Sequence, residues 1–151
     1  KEGMMKKICL QVLAAFFFFL IFVNNVSAHC EIPCGIYDDQ MRVTMISEHI
    51  TTIEKSMNQI MEIQKEKSHN ANQLIRWVTN KENHANELQE IISQYFMTQR
   101  IKFDARDYDK KISMMHQMLV YAMKCKQTTD LENVQKLREA LKSFETLYFT
   151  K

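Results

Sequence analysis

The chain has 151 residues, room for one domain and not comfortably for two. Its two glycines and one proline exclude a turn-rich β protein and suit long helices. Its formal net charge of only +2 excludes a nucleic-acid surface built on bulk charge.

The N-terminus predicts a secretory signal peptide over residues 1–28. Lys6 and Lys7 make a basic start, and residues 8–23 are apolar apart from Gln11, with four phenylalanines at 16–19. Asn24 and Asn25 break the run, and Val26-Ser27-Ala28 supplies a small-residue cleavage site. The apolar stretch of about 16 residues is shorter than the ~20 of a membrane span. A lipoprotein signal fits poorly, because His29 rather than a small residue precedes Cys30. Met4 or Met5 is the expected start. The leader carries Lys1, Lys6, Lys7 and one acid, Glu2, so residues 29–151 hold equal numbers of bases and acids.

Residues 29–37 read His-Cys-Glu-Ile-Pro-Cys-Gly-Ile-Tyr and carry the chemistry. Cleavage after Ala28 gives His29 a free α-amine beside its imidazole. Cys30 adds a backbone amide and a thiolate, and Cys34 adds a second thiolate after a turn. Amine and amide of adjacent residues form a five-membered chelate, so these four donors can lie in one plane, with the His29 imidazole axial. A planar nitrogen and sulfur field selects Ni(II) or Cu(II) over tetrahedral zinc. Pro33 stiffens the turn, and Gly35 permits a positive φ. In an exported chain, two cysteines four apart also suit a disulfide, and spacing alone does not choose.

From residue 38 onward the pattern predicts four helices of about 20–28 residues, packed as an antiparallel up-and-down bundle. The first stripe is Ile46, Ile50, Ile53, Met57 and Ile60. The second is Leu74, Val78, Ala85, Leu88, Ile92 and Tyr95, interrupted by Lys81. The third is Ile112, Met115, Leu119 and Ala122, and the fourth is Val134, Leu137, Leu141, Phe144 and Tyr148. Ser68 or Asn70 is expected to cap helix two, Asp107 helix three, and Thr129 with Glu132 helix four. Residues 97–106 read as an aperiodic loop. His49, His69 and His116 read as surface or partly buried histidines, Cys125 as a packed thiol and Trp77 as a packing residue. The abundant methionines follow helical faces and read as core.

The stretch His29 to Tyr37 resembles the nickel hook of nickel-type superoxide dismutases, His-Cys-x-x-Pro-Cys-Gly-x-Tyr, at every fixed position. Looser similarity runs through Thr52-Ile53-Glu54-Lys55-Ser56-Met57, Leu74-Ile75-Arg76-Trp77 and Tyr95-Phe96. The resemblance implies an all-α four-helix subunit over residues 29–151 with its hook at 29–37. It also implies a homohexamer, one nickel per subunit, and dismutation of superoxide to oxygen and hydrogen peroxide by Ni(II)/Ni(III) cycling. By the same resemblance His29, Cys30 and Cys34 ligate the metal. Tyr37 covers its open face and Tyr95 lies close to that pocket. Arg76 pairs with the acid at Glu31 and could steer an anionic substrate. Thr44 and His84 stand where the family places a glutamate and an arginine that hold the axial imidazole, so that relay is expected to be replaced.

A processing peptidase is implied, and no membrane attachment after cleavage. The expected location is exported: periplasm, extracellular medium or an organelle lumen. A cytoplasmic protein after leader removal is the alternative. The rival functions are a non-enzymatic exported helical bundle that binds metal or acts as an adaptor, and a membrane-anchored interaction protein that keeps its leader.

Overall fold

The computed structural model describes residues 3–5, 7, 10–13, 33–68 and 70–150. The chain divides into two units, Lys1–Cys34 and Gly35–Lys151. In the first, residues 3–5, 7 and 10–13 are helical, and Pro33 and Cys34 belong to a turn. Most of the expected leader, with His29, Cys30 and Glu31, lies outside the described residues, as does His69. Among the described residues no helix is long and apolar enough to cross a membrane.

The second unit is the expected four-helix bundle. Its helices are α1 (Asp39–Lys65), α2 (Ala71–Glu90), α3 (Tyr108–Gln127) and α4 (Leu131–Phe149), and α2 runs on into a π-helical segment, Ile91–Arg100. Each helix packs on its neighbour in sequence, and α1 also packs on α4, which closes the ring. Short links between such neighbours make the order up-and-down.

Helix α1 starts where the Asp38 carboxylate accepts the Met41 amide at 2.9 Å, with Asp39 in the first turn and Lys65 in the last. Every member of its predicted stripe is buried. Ser56 is buried too, and it is paired twice. It donates to the Thr52 carbonyl at 2.8 Å and accepts from Asn80 of α2 at 3.0 Å.

Helix α2 departs from the pattern. Asn70, rather than Ser68, caps it by accepting the Gln73 amide at 3.1 Å. Ala85, Leu88, Ile92 and Tyr95 join the core, but Leu74 is only half-buried and Val78 is exposed. The cause is a length mismatch. Lys81, the residue that broke the stripe, is buried and donates its Nζ to the Lys126 carbonyl at 2.6 Å and the Thr128 carbonyl at 3.3 Å. It thus caps the C-terminus of α3 where orphan carbonyls collect. The α3–α4 link is therefore level with Lys81, and residues 71–80 project past it by about 15 Å.

Two more caps differ from expectation. Asp107 sits at φ 53° and makes no capping bond to α3; its carboxylate takes the Lys110 ammonium at 2.9 Å instead. In α4 the cap is Asp130, one residue beyond Thr129, and it accepts the Glu132 amide at 3.0 Å. The α4 stripe is buried down to Phe144, with Tyr148 half-buried. Cys125 is buried, as expected of a packed thiol.

Candidate metal centre

Cys34 is exposed, and it precedes Gly35 at φ 80°. That conformation is strained for any residue with a Cβ, so Gly35 performs the turn expected of it. Ile36 to Asp38 carry no regular structure and lead into α1. Of the two described cysteines, Cys34 suits a metal and Cys125 does not. Burial pushes the Cys125 thiol up to about 11, and a buried thiolate there would lack solvent and access. Cys34 is exposed at a turn, so its sulfur is accessible to a metal, as a hook donor requires. Pro33 is half-buried in the same turn.

Tyr37 is 39% exposed yet held on two sides. The Arg100 guanidinium lies over its ring, 4.3 Å from the centroid, and the Tyr95 ring meets it edge-on at 5.9 Å. Among the described residues its hydroxyl makes no hydrogen bond. The structure thus brings Tyr37 and Tyr95 together, but the two differ in what their hydroxyls can do.

The Tyr95 hydroxyl is committed. It donates to Asp39 Oδ1 at 2.6 Å, while Tyr148 donates to Oδ2 at 2.8 Å. Arg100 adds a two-pronged bond, Nε to Oδ1 at 2.7 Å and Nη2 to Oδ2 at 2.8 Å. Burial pushes the Asp39 carboxyl upward, but the bonds from Arg100, Tyr95 and Tyr148 outweigh it and hold the group below its ordinary range. Burial and the bond to Asp39 raise both phenols, Tyr148 to about 12. Arg42 stacks its guanidinium 5.1 Å from the Tyr95 centroid, and among the described residues its buried Nε has no hydrogen-bond partner.

The π-helical segment makes this arrangement possible. In an α-helix, residues five apart point about 140° away from each other. Here i→i+5 bonding, seen where Ile101 N–H donates to the Phe96 carbonyl at 2.9 Å, brings Tyr95 and Arg100 onto one face. Both then reach Asp39. The predicted loop over residues 97–106 is therefore helical as far as Arg100. Phe96 fills the space behind, edge-on to Phe144 at 5.1 Å and to Tyr148 at 5.5 Å.

Arg76 is not brought to this cluster. It is exposed on the projecting part of α2, in a shallow depression with Gln73, Trp77 and Asn80. The 19 residues to Tyr95 put it roughly 25–30 Å away along the helix. Thr44 is exposed and donates its hydroxyl to the Gln40 carbonyl at 3.0 Å. His84 faces His49, with its Nδ1 2.8 Å from the other ring's Nδ1. Asp39, Arg100, Tyr148 and the His49 contact had no sequence motif. The five-residue spacing of Tyr95 and Arg100 is the one sequence signal here, and it puts the two on one face only in a π turn.

No curated protein and no solved structure matches the chain. The family model described as nickel-containing superoxide dismutase matches residues 24–151, which span the hook and the whole bundle.

Proposed function

The chain belongs to the nickel-containing superoxide dismutase family, and from that membership we propose that its nickel is held by a hook of residues 29–37 set free when a leader is removed. It is an oxidoreductase with a nickel cofactor, and it converts superoxide to oxygen and hydrogen peroxide. The observation that carries the reading is the extent of the match, which begins upstream of His29 and runs to the last residue.

In this proposal His29 offers its α-amine and imidazole, Cys30 its amide and thiolate, and Cys34 its thiolate. When bound, the metal supplies a one-electron couple that thiolate donors tune toward the higher oxidation state. The protein's own residues do the rest. Tyr37, clamped by Arg100, has a hydroxyl that bonds to nothing among the described residues, on a ring that cannot swing freely, which suits it to order a small anion or water. Tyr95 acts as a positioning residue, because its hydroxyl is spent on Asp39. Pro33 and Gly35 fix the path between the donors. Arg76 takes no part in the site of a single subunit, because it lies roughly 25–30 Å along α2 from Tyr95.

The same proposal takes residues 1–28 as an export signal cut by a peptidase, with the enzyme working in the periplasm, the medium or an organelle lumen. It also takes the working form as a homohexamer. Ile75 and Val78, three apart on the projecting part of α2, and Phe103, 91% exposed, support assembly, since association would cover them.

The test is made on the purified native protein. Its N-terminal residue, nickel per subunit, size by light scattering and superoxide consumption are measured together. An N-terminal His29 with one nickel and rapid turnover is expected. A precursor that is fully active with Ala28 still attached would overturn the hook, because the amine would then be a peptide amide. Cys34→Ser is expected to lose nickel.

A further inference from the structure

Outside the hook, one cluster combines several strong metal donors. His49 of α1 faces His84 and Glu87 of α2, the latter two one helical turn apart. His49 Nδ1 lies 2.8 Å from His84 Nδ1, and Glu87 Oε2 lies 3.4 Å from the first and 3.7 Å from the second. A triangle with these sides has a circumradius of about 1.9 Å. A cation about 0.6 Å above its plane therefore sits ~2.0–2.1 Å from all three atoms, the bond length of divalent zinc to imidazole and carboxylate.

We propose that His49, His84 and Glu87 form a second metal site, for a divalent late first-row cation such as zinc. None of its ligands belongs to the hook, so it stands or falls independently of the nickel reading. The chemistry of the pair agrees. Two Nδ1 atoms at 2.8 Å must share a proton, since one neutral imidazole can donate and the other accept. A cation takes the place of that shared proton, which moves to Nε2 of the donating ring, so both rings stay neutral with N–H at Nε2 and a free Nδ1 toward the cation. Imidazole with carboxylate suits zinc, cobalt, nickel and copper ions and disfavours hard cations such as calcium and magnesium. His49 is only 12% exposed, His84 29% and Glu87 56%, so the site is walled by the helices and open on the Glu87 side. Three protein ligands leave a fourth position for water or a small anion. The ion would tie α1 to α2 across their shared face.

The probe is Co(II), followed by Zn(II) competition, on the full mature chain with the hook silenced by His29→Ala, Cys30→Ser and Cys34→Ser. Expected is one Co(II) per subunit, with visible d–d bands, no sulfur-to-cobalt charge transfer, and displacement by Zn(II). Zn(II) should also raise the Tm of this chain, because a ligand that binds only the folded state stabilises it. Adding His84→Ala should abolish both effects. Adding Glu87→Gln, at an exposed position that leaves the core untouched, should weaken binding and shift the bands. Failure of the silenced chain to bind Co(II) overturns the site. Binding unchanged by Glu87→Gln, or retained in a folded His84→Ala chain, overturns it equally.

Discussion

Replacing Asp39 with alanine tests how the Tyr37 face is held. The carboxylate accepts four hydrogen bonds from three side chains, and its own side chain is 17% exposed against 28% for Arg100. A hydrogen bond to a charged group contributes about 1.5–3 kcal/mol, and breaking a well-buried ion pair costs about 3–5 kcal/mol. The four bonds share one acceptor and do not add, and partial exposure lets water re-pair Arg100. The net expectation is about 3 kcal/mol, or about 12 °C in Tm for a bundle of this size. Urea and thermal unfolding of the metal-free protein, followed by circular dichroism, read it directly. The pH dependence gives an independent sign. The folded-state pKa of Asp39 is depressed, so its stabilisation is complete above the ordinary carboxylate pKa of about 3.9. It is lost as pH falls below that value toward the folded pKa, and Asp39→Asn should lack that part of the acid loss. A cost below about 1 kcal/mol with no change in the acid limb would refute the network, since that is the worth of an ordinary surface pair.

Lys81→Met should keep the aliphatic packing but leave the Lys126 and Thr128 carbonyls unpaired, costing about 1–3 kcal/mol by urea titration; a neutral result would mean that water caps α3 equally well. Phe96→Ala removes a fully buried ring at the centre of the aromatic group and should cost about 3–5 kcal/mol, read by the same titration. Tyr37→Phe should retain nickel, measured by metal analysis, and change turnover or inhibition by small anions; loss of the metal would make Tyr37 structural. Arg100→Lys keeps a cation but loses the planar fork and the stacking on Tyr37, so it should destabilise the protein while Arg42→Lys changes it less.

The helices and their seams were legible because burial enforces a period of three and four along each strip. The α1 stripe was right at every position. The errors fell where neighbours in space decide. Leu74 and Val78 fit the period but lie beyond the end of the α3–α4 hairpin, so nothing there requires their burial. Lys81 looked like an interruption until the α3 carbonyls appeared opposite it. Asp130 displaced Thr129 as a cap by a single residue, which propensity does not resolve.

The sequence by itself carries the hook motif. The spacing of His29, Cys30 and Cys34, with Pro33, Gly35 and Tyr37 at fixed offsets, is a local pattern, and local patterns survive without coordinates. It also determined the bundle, since four apolar stripes without breakers have few other ways to be covered. Tertiary structure alone decided which charges meet. Asp39 gathers partners 56, 61 and 109 residues away. It does so because a π-helical stretch turns Arg100 onto the face of Tyr95, and α4 brings Tyr148 to the same carboxylate. His49 and His84 likewise meet only because α1 and α2 pack side by side. Pairings across such distances depend on helix phase and crossing, which no run of residues encodes on its own.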